Sequence, residues 1–289
     1  MRIPIPPVSM PAETVAKAAE YAEGRLTPAE PRNAATVILM RPGTTGPEVY
    51  LLRRQRTMAF AAGMCVFPGG GVDPRDSDHS VAWAGPSPEQ WAAQLGCTTL
   101  EARALVCAAV RETFEESGVL LAGTSADTVV SDVSGEDWEA DRQALESREL
   151  SLTDFLDRRG LVLRTDLLGA WEAWTTPVME PKRYRTWFFV AELPEGQLTR
   201  DVSTESTEVL WLGAGEALDR VEAGELAMMP PTYLNCLEIA QFGSPAEALA
   251  AAGGRSIEMF TPEIEPVDDG HALTMLPVHR TLLEARGRV

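Results

Sequence analysis

The chain predicts an α/β fold with helical insertions, and three observations carry that reading. Apolar, β-rich runs such as "NAATVILMR", "PEVYLLRRQ" and "YRTWFFVAEL" recur along it. Helical patterns fall between them, and no linker separates the two kinds of segment. Hydrophobic residues make up 45% of the 289, enough to give a chain of this length a substantial core.

Taken in order, residues 1–31 are Pro-rich around the helical stretch "AETVAKAAEYAEGRL" and predict an N-terminal arm on the main body. "NAATVILMR" and "PEVYLLRRQ" flank "PGTTG", which reads as a hairpin, and "GMCVFPGG" reads as a third strand. Residues 77–99, rich in Trp, Pro and Gln, lead into a helical pattern over about 100–119. Residues 124–160 are strongly charged with helical spacing. Strand-like "LLGAWEAWTTP", "YRTWFFVAEL" and "TEVLWLGA" follow, then helical patterns near 213–223 and 231–242. "RSIEMFTPEIEPVDDGHALTMLPV" predicts a terminal pair of strands. The expected organisation is an arm (1–31) and one domain over 32–250, interrupted near 77–99 and 124–160. The strand pair, within 251–289, is expected to pack on that same domain.

A net charge of −18 argues against a nucleic-acid polymer or an anionic membrane as partner through a broad basic surface. Such a protein can still act on a phosphorylated small molecule where divalent cations mediate the contact. Cys65, Cys97, Cys107 and Cys236 show neither metal-ligand nor disulfide-framework spacing and are expected to be reduced thiols. The start "MRIPIPPVSMPAETV" lacks a signal pattern, and no apolar run approaches membrane-spanning length. The expected location is cytoplasmic.

Two stretches carry the chemistry. In "VFPGGGVDPRDSD" a strand gives way to Gly69, Gly70 and Gly71, which mark either a tight turn or a place of close backbone approach. In "AAVRETFEESGVLL" a helix puts Glu112, Glu115 and Glu116 on one side, at i, i+3 and i+4, and Val106, Val110, Thr113 and Phe114 on the other. Like charges so close disfavour a helix by roughly 0.2–0.5 kcal/mol per pair, and Arg111 offsets part of that through Glu115. The carboxylates are either a solvated acidic face or hard oxygen ligands for Mg²⁺ or Mn²⁺.

"GGGVDPRD" followed by "RETFEESGV" resembles the split signature of the Nudix hydrolases, which runs Gly, five residues, Glu, seven residues, Arg-Glu, then Glu-Glu-x-Gly. Gly70, Arg111, Glu112, Glu115, Glu116 and Gly118 match it. Asp76 stands at the first acidic position, and 34 residues separate it from Arg111 where the usual box has seven. Thr113 replaces a usual aliphatic residue. The insertion resembles the branch of peroxisomal acyl-coenzyme A diphosphatases. So do "RNAATVILMR", "LLRRQRTMAFAAGMCVFPGG", "WTTPVMEPKRYRTWFFVAEL", "ESTEVLWL" and "MMPPTYLNCLEIAQF".

The resemblance implies an α/β/α sandwich with a mixed central sheet, and metal-dependent hydrolysis of a small-molecule diphosphate. The leading substrate is coenzyme A or acyl-coenzyme A, cleaved to 3′,5′-ADP and a phosphopantetheine product. NADH, ADP-ribose or another nucleoside diphosphate conjugate is the alternative, and a ligand-sensing module without turnover is a third. The "LLRRQRTMAFAAGMCVFPGG" stretch lacks the Arg and His of the compact coenzyme A motif, which keeps the alternative open. It further implies that Glu112 and Glu116 hold most of the metal, with Glu115 and the Gly69 carbonyl completing the set. Arg111 then orients the glutamates, and Gly70, Gly71 and Arg54 meet the phosphates, which side chains at the glycines would block. Lys182, Arg183 and Arg185 are candidates for a 3′-phosphate, Glu205 for the general base with Glu208 as competitor. Residues 77–99, with Trp83 and Trp91, are expected to cap the site. His79, His271 and His279 are isolated in the sequence and have no expected role. A homodimer is left open.

Overall fold

The apolar run "TVILM" lies in strand β1 (Arg32–Pro42) of the computed structural model, which describes residues 8–55, 61–204, 206–268 and 270–288. Helix α1 (Ala12–Ala22) precedes it, and β2 (Pro47–Arg54) returns antiparallel with Met40 opposite Val49. Next come β3 (Cys65–Val66), β4 (Gly69–Gly71), β5 (Trp83–Ala84), α2 (Pro88–Leu95) and α3 (Thr99–Ser117). They are followed by β6 (Ala122–Gly123), α4 (Glu136–Glu146), α5 (Leu152–Arg159), β7 (Val162–Arg164), β8 (Leu168–Thr175), β9 (Tyr184–Glu192) and β10 (Ser206–Gly213). The remainder is α6 (Ala214–Glu222), α7 (Pro230–Ile239), α8 (Pro245–Ala252), β11 (Met259–Phe260), β12 (Ile264–Val267), β13 (Gly270–Leu273) and α9 (Pro277–Ala285). Among the described residues no helix is long and apolar enough to cross a membrane.

The main sheet runs β10-β2-β1-β9-β8-β11, with β3 added to β2 and β4 to β1. It is mixed, because β9 lies parallel to β1 and β11 parallel to β8 while the other pairs are antiparallel. Period-two alternation sends Ala35, Val37 and Leu39 to one face, packed with α3, and Ile38 and Met40 to the other, packed with α6 and α7. Helices thus cover both faces, and the fold is an α/β/α sandwich. Two further sheets are small: β5-β7-β6, and the hairpin β12-β13.

Helix α3 is capped at both ends. The Thr98 side chain accepts from the Glu101 N–H, the Glu101 carboxylate reaches back to Thr98, and Gly118 closes the helix at φ 72°. Val106, Val110, Thr113 and Phe114 are fully buried, as their spacing predicts. Thr113 is tolerated there because its hydroxyl donates to the Ala109 carbonyl at 2.7 Å.

Three sequence expectations need correction. Residues 77–99 do not cap the site: α2 packs beside α3, with Trp91 only 1% exposed and edge-on to Phe189 at 5.9 Å. Trp187 also donates its indole N–H to the Leu95 carbonyl, 3.1 Å away. Trp91 and Leu95 lie one turn apart, and burying both in the core outweighs leaving them over an aqueous site. The stretch after 250 is more than a strand pair, since β11 joins the main sheet and the chain goes on into α9, whose Leu283 is fully buried. Finally, His279 is not isolated. It is 0% exposed, with Nε2 3.2 Å from Glu172 Oε1, in a buried group with Trp174, Asn235, Glu238 and Arg255.

Two outcomes follow from this packing. Trp91→Ala should lower the unfolding free energy by about 3–5 kcal/mol in urea titrations, the cost of a large aromatic removed from a core. The Glu172–His279 pair gives a pH dependence. Burial pushes Glu172 up to about 8 and His279 down to about 4, so the folded pair holds one proton throughout that range. The unfolded chain loses these protons near 4.5 and 6.5. Between pH 6.5 and 8 the folded state therefore binds the extra proton, and stability falls as pH rises, by about 2 kcal/mol in all. Unfolding at pH 6 and 8.5 should show the fall, and Glu172→Gln should abolish it.

Candidate active site

Strand β4 lies on β1 with Gly69, Gly70 and Gly71 opposite Thr36, Ala35 and Ala34. A Cβ at Gly69 would fall 2.5 Å from Thr36 Oγ1 and 2.6 Å from the Ala35 carbonyl. One at Gly70 would fall 2.5 Å from the Glu112 carboxylate, whereas one at Gly71 would meet nothing within 4 Å. The first two glycines are thus required by the protein's own strand and carboxylate. The close backbone approach that the glycines were expected to allow is here made to Thr36 and Glu112.

Arg111 holds the cluster together. Its Nε and Nη2 donate to Asp76 at 3.0 and 2.9 Å, and Nη2 also donates to the Gly71 carbonyl at 3.0 Å. Nη1 donates to Glu112 at 2.7 Å and to both oxygens of Glu115 at 3.3 Å. Asp76 sits in a 3-10 turn over Pro74–Ser77, accepts from the Asp73 N–H at 2.8 Å, and is 3% exposed. The long insertion leaves after this turn, so Asp76 and Arg111 meet in space despite the residues between them. From the end of α3, Glu116 accepts from the Gly69 N–H at 2.8 Å.

One guanidinium facing Asp76, Glu112 and Glu115 leaves negative charge in excess in a half-dry place. Burial, and then the neighbouring Glu112 charge, push Glu115 up to about 7. The donor set suits a hard cation, and Glu112, Glu115, Glu116 and Gly69 line one cavity of about 800 Å³. As placed, these side chains turn to Arg111 and to the Gly69 amide, and among the described residues no three acidic, His or Cys groups converge as a ligand cluster.

Gly70, Gly71, Arg54 and Arg111 line the same cavity. Arg183 and Arg185 do not. On β9 it is Tyr184, Thr186 and Phe188 that face the cavity, so the arginines between them point to the other side. Arg183 is also engaged, donating to the carbonyls of Thr176 and Ala29 at 3.0 Å each, and Lys182 is exposed outside the cavity. Glu208 is paired with Arg53 at 3.0 Å, away from the cavity, and Glu205 lies outside the described residues. Sequence reasoning missed Glu146 and Arg148, which the charged insertion brings to the cavity wall, Arg148 at a left-handed φ of 63°. It also missed Trp174 and the two chain ends, for which no local pattern gives a signal.

Residues 87–239 match the NUDT19 Nudix domain, a stretch that holds α3 and its carboxylates but begins after β4. The chain is 29% identical over 210 residues to a protein named putative nudix hydrolase 7 from Caenorhabditis elegans, covering 73% of this chain. It spans 61% of that relative's length. It is 25% identical over 271 residues to the acyl-coenzyme A diphosphatase NUDT19 of Xenopus laevis, covering 80% of this chain and 70% of that one. A solved structure, a NUDIX hydrolase from Alicyclobacillus acidocaldarius, superposes with a TM-score of 0.65 at 29% identity, over 80% of this chain and 99% of the other. With the domain match running through more than half of its length, around the helix that carries Arg111 and the glutamates, the chain belongs to the NUDT19 Nudix domain family.

Proposed function

We propose that the protein is a metal-dependent diphosphatase that hydrolyses coenzyme A or acyl-coenzyme A to 3′,5′-ADP and a phosphopantetheine product. The observation that carries this reading is the set Glu112, Glu115 and Glu116 on one wall of a cavity beside a glycine strand, the first two held by Arg111 and the third by the Gly69 N–H. The name of the Xenopus relative supports the choice of substrate. Glu112, Glu116 and Glu115 would hold Mg²⁺ or Mn²⁺, which when bound offsets phosphate charge and makes a coordinated water more acidic.

The chain's own residues supply the rest. Arg111 fixes the carboxylates by five hydrogen bonds to side chains and one to a carbonyl, and has no donor left for substrate. Arg54 and Arg148, both on the cavity wall, give positive charge to a diphosphate entering between them. Glu205 is the proposed base for the attacking water. Its competitor Glu208 is turned to Arg53.

Purified protein with Mg²⁺ or Mn²⁺ should release 3′,5′-ADP from coenzyme A in preference to cleaving NADH or ADP-ribose, and the opposite ranking would overturn the substrate. Glu116→Gln should lower kcat by about a hundredfold with an unchanged melting temperature, because a neutral amide is a poor ligand for a hard cation. Near-normal turnover of that variant at saturating Mg²⁺ would sink the metal assignment. Arg183→Ala should leave the ratio of coenzyme A to dephospho-coenzyme A hydrolysis unchanged, since its guanidinium faces away from the cavity.

A further inference from the structure

The cavity has two halves, and the one away from the glutamates is built on a buried carboxyl group. Gly71 of β4, Ala34 of β1, Thr186 of β9 and Trp174 of β8 form one row across four strands. With strands about 4.8 Å apart, Trp174 lies roughly 14 Å from Gly71. The lining around Trp174 is mixed: Thr175, Tyr184 and Thr186 stand beside it, with Glu180 from the turn that joins β8 to β9. Val8 and Leu273, from the two ends of the chain, also line the cavity.

Glu172 pairs with Phe188 one row further along the same face, and it is 6% exposed. Its two oxygens have separate partners. Oε2 accepts from the Trp174 indole N–H and, at 3.4 Å, from Asn235 Nδ2. Oε1 lies 3.2 Å from Nε2 of His279, whose ring is stacked on Trp174 at 5.8 Å. Asn235 Nδ2 also donates to the Pro231 carbonyl at 2.8 Å, in the first turn of α7, where Met229 and Pro231 line the cavity. One carboxyl group thus fixes Trp174 directly and the start of α7 through Asn235.

The surroundings make that group a neutral acid. Among the described residues neither ring nitrogen of His279 has a hydrogen-bond partner, so an imidazolium there would be costly. Arg255 is committed to Glu238, at 3.0 Å, and to the Trp171 carbonyl, and Glu238 brings a like charge towards Glu172 from α7. Burial pushes Glu172 up to about 8 and His279 down to about 4, with the Glu238 and Arg255 charges acting in the same two directions.

We infer that Glu172, as a neutral acid, is a positioning residue that sets Trp174 and the first turn of α7 as a wall of the substrate cavity, and that its ionisation disturbs that wall. For the substrate the inference rests on the diphosphatase reading above; the coupling of the proton to Trp174 stands apart from it. Ionisation would leave a buried negative charge facing Glu238, with only Trp174, Asn235 and a neutral imidazole around it. The neighbours that must shift to relieve it are the ones that carry the wall. The added charge also lies behind a cavity meant for a polyanion. Both effects weaken substrate binding as pH rises, and neither touches the glutamates that would hold the metal.

The test uses the full chain and two readouts. In ¹H–¹⁵N spectra the Trp174 indole signal, identified as the one missing from Trp174→Phe, should move between pH 7 and 9 with a midpoint near 8. In Glu172→Gln, whose amide copies the neutral acid, it should stay fixed. With Mg²⁺ and coenzyme A, the rise in KM from pH 7 to 9 should be about threefold or more greater in wild type than in Glu172→Gln, and about tenfold if only the neutral acid binds. The pH profile of kcat should be the same in both. Glu180 and Tyr184, on the cavity side of Trp174, are present in both proteins, so their titration cancels in the comparison. A wild-type indole signal that does not titrate overturns the inference, and so does an equal change of KM in the two proteins. If wild type does not cleave coenzyme A, the diphosphatase reading has failed, and the indole titration alone decides whether the Glu172 proton reaches the cavity wall.

Discussion

Everything at the glycine end of the cavity depends on one guanidinium. Arg111 is the shared partner of Asp76, Glu112, Glu115 and the Gly71 carbonyl, and it does this from an almost buried position. Without it the carboxylates on α3 would repel one another and Asp76 would be a buried charge with no cationic partner, a loss of several kcal/mol in comparable buried pairs. With it, α3, the Pro74–Ser77 turn and β4 are fixed to each other through a single side chain. The planar five-donor fork is what makes this work, and a lysine could not reach so many acceptors in so many directions.

The same constraint explains why the backbone beside it must be bare. Glu112 approaches β4 so closely that a methyl group at Gly70 would occupy its carboxylate, and Gly69 uses its N–H on Glu116 while lying against Thr36. The glycines and the glutamates therefore belong to one packing unit. Excess negative charge remains after Arg111 has made its contacts, and that surplus is the physical argument for a cation. A site that needed only a folded helix would not gather Asp76, Glu112 and Glu115 around one arginine, with Glu116 on the adjacent Gly69 amide, in an already acidic protein.

Much of this was legible in the sequence because it is local. The spacing of Glu112, Glu115 and Glu116, the opposite stripe of Val106, Val110 and Phe114, and the hairpin around "PGTTG" all follow from helix and strand periods. What failed was direction across the fold. Arg183 and Arg185 share a face by their spacing, but which face of β9 looks into the cavity is decided by its pairing with β1 and β8, a long-range fact. Trp91 reads equally well as a lid or as core until the neighbour of α2 is known. Glu172 and His279 are far apart in sequence, and only the docking of α9 under β8 makes them a pair.

That last contact links the two halves of the cavity. Glu172 follows Phe188 and Gly69 in one row of the sheet, and it holds Trp174, on the cavity wall, by its indole N–H. The partner that covers it, His279, comes from α9, which follows directly on the hairpin that forms the opposite wall. The C-terminal segment therefore contributes twice to this end of the cavity: it buries Glu172 beside Trp174, and it adds Leu273 to the lining. A chain that shared only the domain stretch would keep Arg111 and its glutamates and lose this enclosure. The carboxylate cluster on α3 and this enclosure thus come from different parts of the sequence.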